Sequence, residues 1–446
     1  MILRPHQLYA GRFIADHFGL ILYHSTGSGK TATALAAMHQ FSDPCVVIGT
    51  KASQKAFRDT AQALGYDWNT YTFYTYTSAK KAVMSQLTVF HGCSVIVDEA
   101  HHLRNETMGN GLLLAALERC RHLLLLTATP VINHLSDLAV LVNLVKQRDA
   151  LPIDRGLFDH LYYDEEKMML KHGETFQRNI TEAISYYQQS DRDANYATST
   201  VHERLVKMDY FQMTEYASYM NKVLYEGRTV VTYDQITPID YATLSRKRLN
   251  SFLMVTRQIS NCAEGRVGPK MSEMLEVILA GPKPVIVYSN FLARGLYPVG
   301  ALLADAGLVY LIISGFSSEE RTSNVVDRYN RGEIQVLLIS SAGSESLDFQ
   351  GTRQIHVMEP HWNESKIDQV LGRAIRFQSH RALPLEQRHV DIYRWISVFP
   401  DHIRNASADQ YLTYVSHRKA DLWLSFQGHV EAASIEKMTD PTSLDS

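Results

Sequence analysis

The residues best suited to chemistry form a glycine-rich segment, Ser25-Thr26-Gly27-Ser28-Gly29-Lys30-Thr31, between an apolar run and an alanine-rich run. Glycines let a backbone curl so that its N–H groups face phosphate oxygens, and the N-terminus of a following helix adds partial positive charge. At this spacing Lys30 would reach the β- and γ-phosphates of a nucleotide, and Thr31 would hold Mg²⁺. The strict motif has glycine where this chain has His24. The segment therefore predicts a nucleotide-binding loop, with an ordinary glycine turn as the alternative.

A pair of carboxylates follows another aliphatic run, in Val95-Ile96-Val97-Asp98-Glu99-Ala100-His101. The carboxyl ends of parallel strands meet at one edge of a sheet, which is where ligands bind. Asp98 would hold Mg²⁺ through water, and Glu99 would orient and polarise an attacking water. An aliphatic strand followed by Asp-Glu is weak evidence alone, but a phosphate-binding loop in the same domain needs such a metal partner.

Two further segments carry polar groups that suit a nucleotide switch. Thr127-Ala128-Thr129 ends an aliphatic run, so its hydroxyls are candidates for relaying the nucleotide state to a neighbouring lobe, although a simple strand end is the better explanation of this segment taken alone. Gln369, Arg373 and Arg376 would share one face of a helix. Two guanidinium groups on one face suit the spread charge of a phosphoryl-transfer transition state, and the alternative is a solvated basic face.

Continuous aliphatic runs separated by helical segments predict parallel sheets covered on both faces. Such runs occur in residues 1–149 and again from Pro284, whereas residues 150–270 show few of them. We therefore predict an α/β protein with a first domain at 1–149, a mostly helical insertion or linker at 150–270, and a second α/β domain with C-terminal helices at 271–446. The predicted strands are 19–24, 45–48, 94–97, 123–126, 285–288, 309–313 and 336–339.

Composition excludes several classes of protein. The chain has 446 residues, of which 45% are hydrophobic and 20% charged, as in globular proteins and unlike disordered, collagenous or coiled-coil chains. The chain has no run of about 18 apolar residues, so we predict no membrane span. We also predict that the N-terminus is not a signal peptide. The four cysteines are scattered and predict reduced thiols in a cytosol-like compartment. The net charge of -3 argues that any nucleic-acid contact is local.

Together these motifs resemble superfamily 2 helicases and translocases, the DEAD/H-box and Swi2/Snf2-like ATPases. Leu3 to Gln7 resembles their first motif, whose glutamine reads adenine, and Thr26 to Thr31 resembles motif I. Asp98 to His101 is a literal DEAH box, and Thr127 to Thr129 resembles motif III. Tyr288-Ser289-Asn290, Gly343 to Asp348 and Gln369 to Arg376 resemble motifs IV, V and VI.

A narrower resemblance is to the helicases of nucleocytoplasmic large DNA viruses, which include the poxvirus early transcription factor small subunit and a poxvirus nucleoside triphosphatase. It rests on Arg257 to Asn261, the Gly372 to Arg376 segment with Ser379-His380, Leu383-Pro384, Val390 to Tyr393 and Ala408 to Leu412. Because the first motif lies at the N-terminus, we expect a minimal translocase or one whose accessory domains belong to partners.

The resemblance implies two RecA-like domains that close on ATP and Mg²⁺. Lys30, Asp98, Glu99, Arg373 and Arg376 would then be catalytic. Gln7, the loop from Thr26 to Thr31 and Gln369 would bind ATP, and coupling to the nucleic acid would fall to His101, Thr127, Thr129, Ser344 and Glu345. The partner would be nucleic acid, with DNA favoured over RNA, together with viral RNA polymerase or transcription-factor subunits. The compartment would be host cytoplasm or virion.

Candidate backbone contacts are Thr50, Lys51 and Ser53 after the second strand and Ser340 and Ser341 before motif V. We expect the tight contacts chiefly on residues 1–149, the slightly basic part of the chain. The leading hypothesis is an ATP-dependent DNA helicase or double-stranded DNA translocase of viral transcription or replication. The alternatives are a non-catalytic transcription or virion scaffold with a helicase fold, a P-loop kinase or GTPase, and the separate motor subunit of a restriction system.

Overall fold

The computed structural model describes residues 3–104, 108–131, 134–164, 169–188, 195–224, 231–234, 236, 239–341, 347–362 and 364–438. Contacts between Cα atoms divide the chain into two compact units. Unit 1 comprises residues 1–190 and 419–446, and unit 2 comprises residues 191–418.

Unit 1 is built on a six-stranded parallel sheet of order β3-β2-β4-β5-β1-β8. Four of its strands are almost wholly buried, which explains their continuous aliphatic sequences. A two-stranded antiparallel pair, β6–β7, lies apart from this sheet. The strands are β1 (Gly19–His24), β2 (Cys45–Gly49), β3 (Tyr71–Thr75), β4 (Ser94–Val97), β5 (His122–Thr127), β6 (Tyr163–Asp164), β7 (Met169–Leu170) and β8 (Ile184–Tyr187).

Helices cover both faces of this sheet, and each face has its own hydrophobic core. Ile21, Val95 and Leu125 point into one core, whereas Leu20, Ile96 and Leu124 point into the other. The helices are α1 (Pro5–Asp16), α2 (Lys30–His39), α3 (Lys51–Leu64), α4 (Tyr76–Ser85), α5 (Met108–Leu117), α6 (Asp137–Lys146), α7 (Arg155–Tyr162) and α8 (Gly173–Ile180).

Unit 2 repeats this architecture with a parallel sheet of order β11-β12-β10-β13-β14-β9. Its central strands β10, β12 and β13 are buried along their whole length. The strands are β9 (Thr198–Lys207), β10 (Val285–Ser289), β11 (Tyr310–Ile313), β12 (Val336–Ser340), β13 (Gln354–Val357) and β14 (His389–Val398). The helices are α9 (Tyr210–Val223), α10 (Arg246–Asn261), α11 (Pro269–Ala280), α12 (Tyr297–Asp305), α13 (Glu319–Asn330) and α14 (Glu364–Ala374).

The predicted boundaries place the C-terminal helices in the second domain, which begins at residue 271. In the structure these helices are not confined to unit 2. Helix α15 (Ala408–Ala432) continues across residue 418, where the division into units falls, and α16 (Ile435–Met438) follows it. Phe426 is fully buried in unit 1, with its ring centroid 4.4 Å from that of Phe176. Contacts between distant parts of a chain leave no mark on local composition, so local sequence predicts only that this segment packs with its neighbours along the chain.

Residues 150–270 contain helices, as predicted, but they do not form a separate insertion. Strand β8 extends the sheet of unit 1, and β9 pairs with β14 at the edge of the sheet in unit 2. Most side chains of β9 are exposed. An exposed edge strand needs no aliphatic run, so the pattern of aliphatic runs does not predict β9. The sequence-based boundaries and the division by packing therefore differ.

In the described part of the chain, none of the helices is both long enough and apolar enough to cross a membrane.

Candidate nucleotide and nucleic-acid site

The glycine-rich loop joins β1 to α2, as the sequence predicts. Gly27 and Gly29 have φ angles of 78° and 91°, which an L-residue adopts only at a cost, and Gly29 immediately precedes the first turn of α2. Lys30 opens the helix and curls back over the loop, where its Nζ donates to the carbonyls of His24 and Ser25 at 2.8 and 3.0 Å. Ser28 is buried, and its hydroxyl has no hydrogen-bond partner among the described residues. The loop thus has the curled backbone of a phosphate cradle.

Gln7 packs against this loop from the first turn of α1. Its Nε2 donates to the carbonyl of Gly29 at 3.3 Å, and its Oε1 accepts from the backbone N–H of Arg4 at 2.7 Å. A Cβ on Gly29 would lie 2.6 Å from Gln7 Nε2, so a larger residue there would displace the amide end of Gln7 from the loop. The structure therefore brings the predicted adenine-reading glutamine and motif I together. Thr31, the predicted magnesium ligand, is the second residue of α2 and partly exposed.

His24, which occupies the glycine position of the strict motif, is fully buried and forms a chain with Ser185 and Glu436. Ser185 donates its single hydroxyl proton to the Glu436 carboxylate, so His24 Nε2 must donate to Ser185 Oγ, 2.8 Å away. Glu436 also accepts from the backbone N–H of Tyr186 at 2.9 Å. Burial lowers the pKa of His24 well below its usual value, which keeps the ring neutral. Helix α16 therefore supports the start of the glycine-rich loop.

The carboxylates of Asp98 and Glu99 follow β4 at the same edge of the sheet. Burial raises the pKa of Asp98, and the Glu99 carboxylate raises it further, while the Lys30 ammonium and a hydrogen bond from Ser53 oppose the rise. Glu99 has a φ of 50°, an uncommon conformation for a residue with a side chain. The structure thus brings Lys30 within electrostatic reach of the acidic pair, as the motifs predict.

The donor set at this edge fits a magnesium ion held jointly by protein and phosphate. Mg²⁺ prefers oxygen ligands and is commonly bound by one or two carboxylates together with substrate phosphates. Two neighbouring carboxylates that repel one another supply such oxygens, and a cation between them would relieve the repulsion. In the described ranges, no group of three His, Cys, Asp or Glu side chains could hold a metal alone. The remaining ligands would have to come from Thr31, phosphate and water.

The DEAH histidine connects the acidic pair to motif III. His101 Nδ1 lies 3.3 Å from Glu99 Oε2 and 3.5 Å from the hydroxyl of Thr127, which ends β5. Thr127 Oγ1 also accepts from the backbone N–H of Thr129 at 3.0 Å. The predicted coupling residues His101, Thr127 and Thr129 are therefore contiguous with Glu99. The other two, Ser344 and Glu345, lie outside the described residues.

A groove of about 700 Å³ opens beside the acidic pair, at the ends of β2 and β3. Helices α3 and α4 begin at this groove, with Thr50 and Thr75 as their N-caps. None of the groove's three lysines pairs with a carboxylate in the part of the chain that the structure describes. The lining residues are Gly49, Thr50, Lys51, Thr75, Tyr76, Thr77, Ser78, Lys80, Lys81 and His102.

The groove suits an extended polyanion, because helix N-termini and ammonium groups both bind phosphates. It includes the predicted contacts Thr50 and Lys51. Ser53 differs from them: it is buried, its hydroxyl lies 3.0 Å from the Thr50 carbonyl, and it supports Asp98. Ser340 is buried at the end of β12 in unit 2, and Ser341 follows it.

In unit 2 the arginine motif departs from the predicted geometry. Gln369 and Arg373 lie on α14, but the helix ends at Ala374, so Arg376 does not share a helical face with them. The helix ends there because the Ser379 hydroxyl lies 3.1 Å from the Ala374 carbonyl and accepts from the backbone N–H of Arg376 at 3.1 Å. The Arg376 side chain turns towards Asp348 of motif V, with Nη1 3.7 Å from Oδ1. Burial lowers the pKa of Arg376, and the charge of Asp348 opposes this decrease.

Three contributors to the candidate site in unit 1 were not predicted from the sequence: Tyr76, the support of Asp98 by Ser53, and Glu436. Strand β3 ends at Thr75, and Tyr76 opens α4 directly after it. The capping pair Thr75 and Ser78 was a readable signal for that helix start. No local signal identifies Glu436, because its partners are about 250 residues away along the chain.

Comparisons with known proteins identify the family of the chain. The SNF2-related domain matches residues 38–264, and the helicase conserved C-terminal domain matches residues 269–378. A protein of Acanthamoeba polyphaga mimivirus, named "Putative ATP-dependent RNA helicase", is 48% identical over 98% of both chains. Nucleoside triphosphatase I of Melanoplus sanguinipes entomopoxvirus is 22% identical, covering 98% of this chain and 79% of its own.

A termination factor NPH-I homolog of African swine fever virus is 22% identical over 85% of this chain and 69% of its own. Among solved structures, the Sulfolobus solfataricus SWI2/SNF2 ATPase core in complex with dsDNA matches 98% of this chain and 97% of that chain, with 16% identity and a TM-score of 0.39. The chain belongs to the SNF2-related helicases of superfamily 2 found in large DNA viruses, and it is a nucleic-acid-dependent ATPase.

Proposed function

We propose that this ATPase moves along duplex DNA, or unwinds it, during viral transcription or replication. The observation that carries the proposal is a single sheet edge in unit 1. There the phosphate loop with Lys30 lies within electrostatic reach of Asp98 and Glu99, and the groove with Lys51, Lys80 and Lys81 opens beside them. ATP chemistry and backbone binding thus share one rigid support.

In this proposal the residues of unit 1 bind and orient ATP. Backbone N–H groups of the loop from Thr26 to Gly29 and the Lys30 ammonium would hold the phosphates, and Gln7 would face the base. Thr31 and Asp98 would hold Mg²⁺, which neutralises charge on the phosphates. Lys30 would exchange its present carbonyl partners for phosphate oxygens, which are stronger acceptors for a cation.

Glu99 would accept a proton from the attacking water, and His101 would hold the Glu99 carboxylate in position. Because His101 also lies next to Thr127, a change at Glu99 would reach motif III directly. In unit 2, Arg373 and Arg376 would supply positive charge to the transferring phosphoryl group, with Gln369 beside ATP. Asp348 would release Arg376 for this role.

The choice of duplex DNA rests on the resemblance to Swi2/Snf2-like ATPases, and the role in transcription rests on the viral relatives. One such relative is named a termination factor homolog, which fits RNA polymerase or transcription-factor subunits as partners. The groups that line the groove suit a phosphate backbone, which DNA and RNA share. Another relative is named an RNA helicase. A DNA strand therefore has to be tested against RNA.

The experiment compares ATP turnover with duplex DNA, single-stranded DNA and RNA of the same sequence. We expect duplex DNA to stimulate turnover most. Lys30→Ala and Glu99→Gln should each lower stimulated turnover at least about 100-fold, because they remove a phosphate contact and a general base. Glu118→Gln is the matched control, since Glu118 is exposed and should leave turnover unchanged.

Stimulation by RNA alone would overturn the choice of DNA, and absence of turnover in the wild type would favour the non-catalytic scaffold. Displacement of a triplex-forming strand, measured beside displacement of a duplex strand, then separates translocation from unwinding. Triplex displacement without duplex displacement identifies a translocase.

A further inference from the structure

Tyr76 touches both the groove and the catalytic acidic pair. Tyr76 lines the groove, and its hydroxyl lies 2.7 and 3.0 Å from the carbonyl oxygens of Asp98 and Glu99, which share its single proton. The ring also packs edge-on against His102, with centroids 5.2 Å apart. Burial raises the pKa of Tyr76 well above its usual value, and the neighbouring carboxylates raise it further, so the phenol keeps its proton.

The backbone that Tyr76 holds is strained. The φ angle of 50° at Glu99 lies in the left-handed region, which a non-glycine residue keeps only when its surroundings hold it there. The Glu99 carbonyl accepts from Tyr76 and from the backbone N–H of His102 at 3.0 Å. This backbone conformation determines where the Glu99 carboxylate lies relative to His101.

Tyr76 is also the first residue of α4, so its position depends on the N-terminus of that helix. Thr75 caps the helix, Ser78 completes the capping box, and both line the groove beside Thr77. A phosphate bound by these hydroxyls and N–H groups would compete with the capping bonds. The resulting adjustment of the first turn of α4 would move the Tyr76 hydroxyl.

We propose that Tyr76 is a positioning residue that transmits occupancy of the groove by a nucleic-acid backbone to Glu99. The contact acts through the carbonyl oxygens of Asp98 and Glu99 and leaves the carboxylates free for their own partners. This inference rests on the proposed function, because it requires a nucleic-acid strand in the groove. It goes beyond that function by naming the residue that links binding to hydrolysis.

The experiment is Tyr76→Phe, which removes one oxygen and keeps the ring. We expect turnover at saturating ATP and saturating duplex DNA to fall about tenfold, since a neutral hydrogen bond is worth about that factor in an equilibrium. Unstimulated turnover should fall by a clearly smaller factor, because without a strand in the groove there is no occupancy to transmit. The KM for ATP and the Kd for DNA should stay within about twofold of the wild type, because the Tyr76 hydroxyl bonds to protein carbonyls and not to either ligand.

Two further variants show which contact carries the signal. Tyr74→Phe is the matched control, because its hydroxyl has no hydrogen-bond partner among the described residues and its ring packs on Phe90. Lys80→Gln with Lys81→Gln should raise the Kd for DNA while leaving maximal stimulation at saturating DNA unchanged. Binding and transmission are thereby separated.

The outcomes are distinguishable. If the wild type is stimulated and Tyr76→Phe retains full stimulation, the inference is wrong while the proposed function stands. An equal fall in stimulated and unstimulated turnover would show that Tyr76 only supports the fold. If no nucleic acid stimulates the wild type, the proposed function fails and the inference fails with it.

Discussion

The buried ion pair between Lys270 and Asp409 gives the sharpest energetic prediction. Both side chains are almost completely inaccessible, at 1% and 0% exposure, and Lys270 Nζ lies 2.8 Å from Asp409 Oδ2. Lys270 also donates to the Asn261 side chain and the Met358 carbonyl at 3.2 and 3.0 Å, and Ser397 N–H donates to Asp409 at 3.0 Å. The pair thereby joins α10, α11, α15 and the ends of β13 and β14.

The attraction at 2.8 Å amounts to about 6 kcal/mol at an effective dielectric constant of about 20. Desolvation of the two ions, which costs several kcal/mol each, offsets most of it. Asp409 Oδ1 has no hydrogen-bond partner among the described residues, so this cost is only partly repaid. Lys270→Met leaves a buried carboxylate unpaired, and we expect it to lower the free energy of unfolding of unit 2 by about 3–5 kcal/mol.

The assay is urea unfolding at pH 7 in a background where the other three tryptophans, Trp68, Trp362 and Trp423, are replaced by Phe. The fluorescence of Trp395, which is buried in the sheet of unit 2, then reports the unfolding of that unit. The double variant Lys270→Met/Asp409→Leu should recover most of the loss, because it removes both charges. Lys247→Met, an exposed position in the same unit, is the control and should change stability by less than about 0.5 kcal/mol. Two results would refute the reasoning. One is a decrease in the free energy of unfolding below about 1 kcal/mol for Lys270→Met, and the other is a double variant whose decrease equals the sum of those of Lys270→Met and Asp409→Leu.

Two further predictions concern the cores of the two units. Burial lowers the pKa of His356 to about 3, so below pH 6.5 the unfolded chain binds a proton that the folded state does not, and stability falls as the pH decreases towards 3. Lowering the pH from 7 to 5 should therefore lower the free energy of unfolding by about 2 kcal/mol through this one residue. The free energy of unfolding of His356→Asn, measured in urea, should depend correspondingly less on pH, and an equal pH dependence in the variant and the wild type would contradict this prediction. Phe426→Ala should destabilise unit 1 by about 3–5 kcal/mol, whereas the exposed Leu424→Ala should change little, and equal stabilities of the two variants by thermal unfolding would contradict the assignment of the end of α15 to unit 1.

The central strands and the phosphate loop were predictable because burial on both faces forces a visible pattern on the sequence. The runs at β1, β2, β4 and β5 are continuous and aliphatic, as strands inside a parallel sheet must be. The candidate site residues follow these runs directly. Local sequence therefore predicted both the sheet edge and the residues that gather there.

The remaining features depend on contacts that local sequence does not record. Strand β9 is exposed and lacks an aliphatic run, and α14 ends before Arg376 because of a serine that follows it. The hydroxyl bonds of Tyr76 join residues about 22 positions apart. Periodicity describes a residue's own element, so it missed these partners and the support that α16 gives to the glycine-rich loop.

The return of the chain to unit 1 after residue 418 has a consequence for the order of synthesis. All residues of unit 2 are made before Phe426, Ile435 and Glu436, which complete the cores and the His24 chain of unit 1. Although most of unit 1 is made before unit 2, unit 1 is therefore the last to complete its fold. A ribosome that stops before residue 435 therefore releases a chain in which the start of the glycine-rich loop lacks the support of Glu436 on α16.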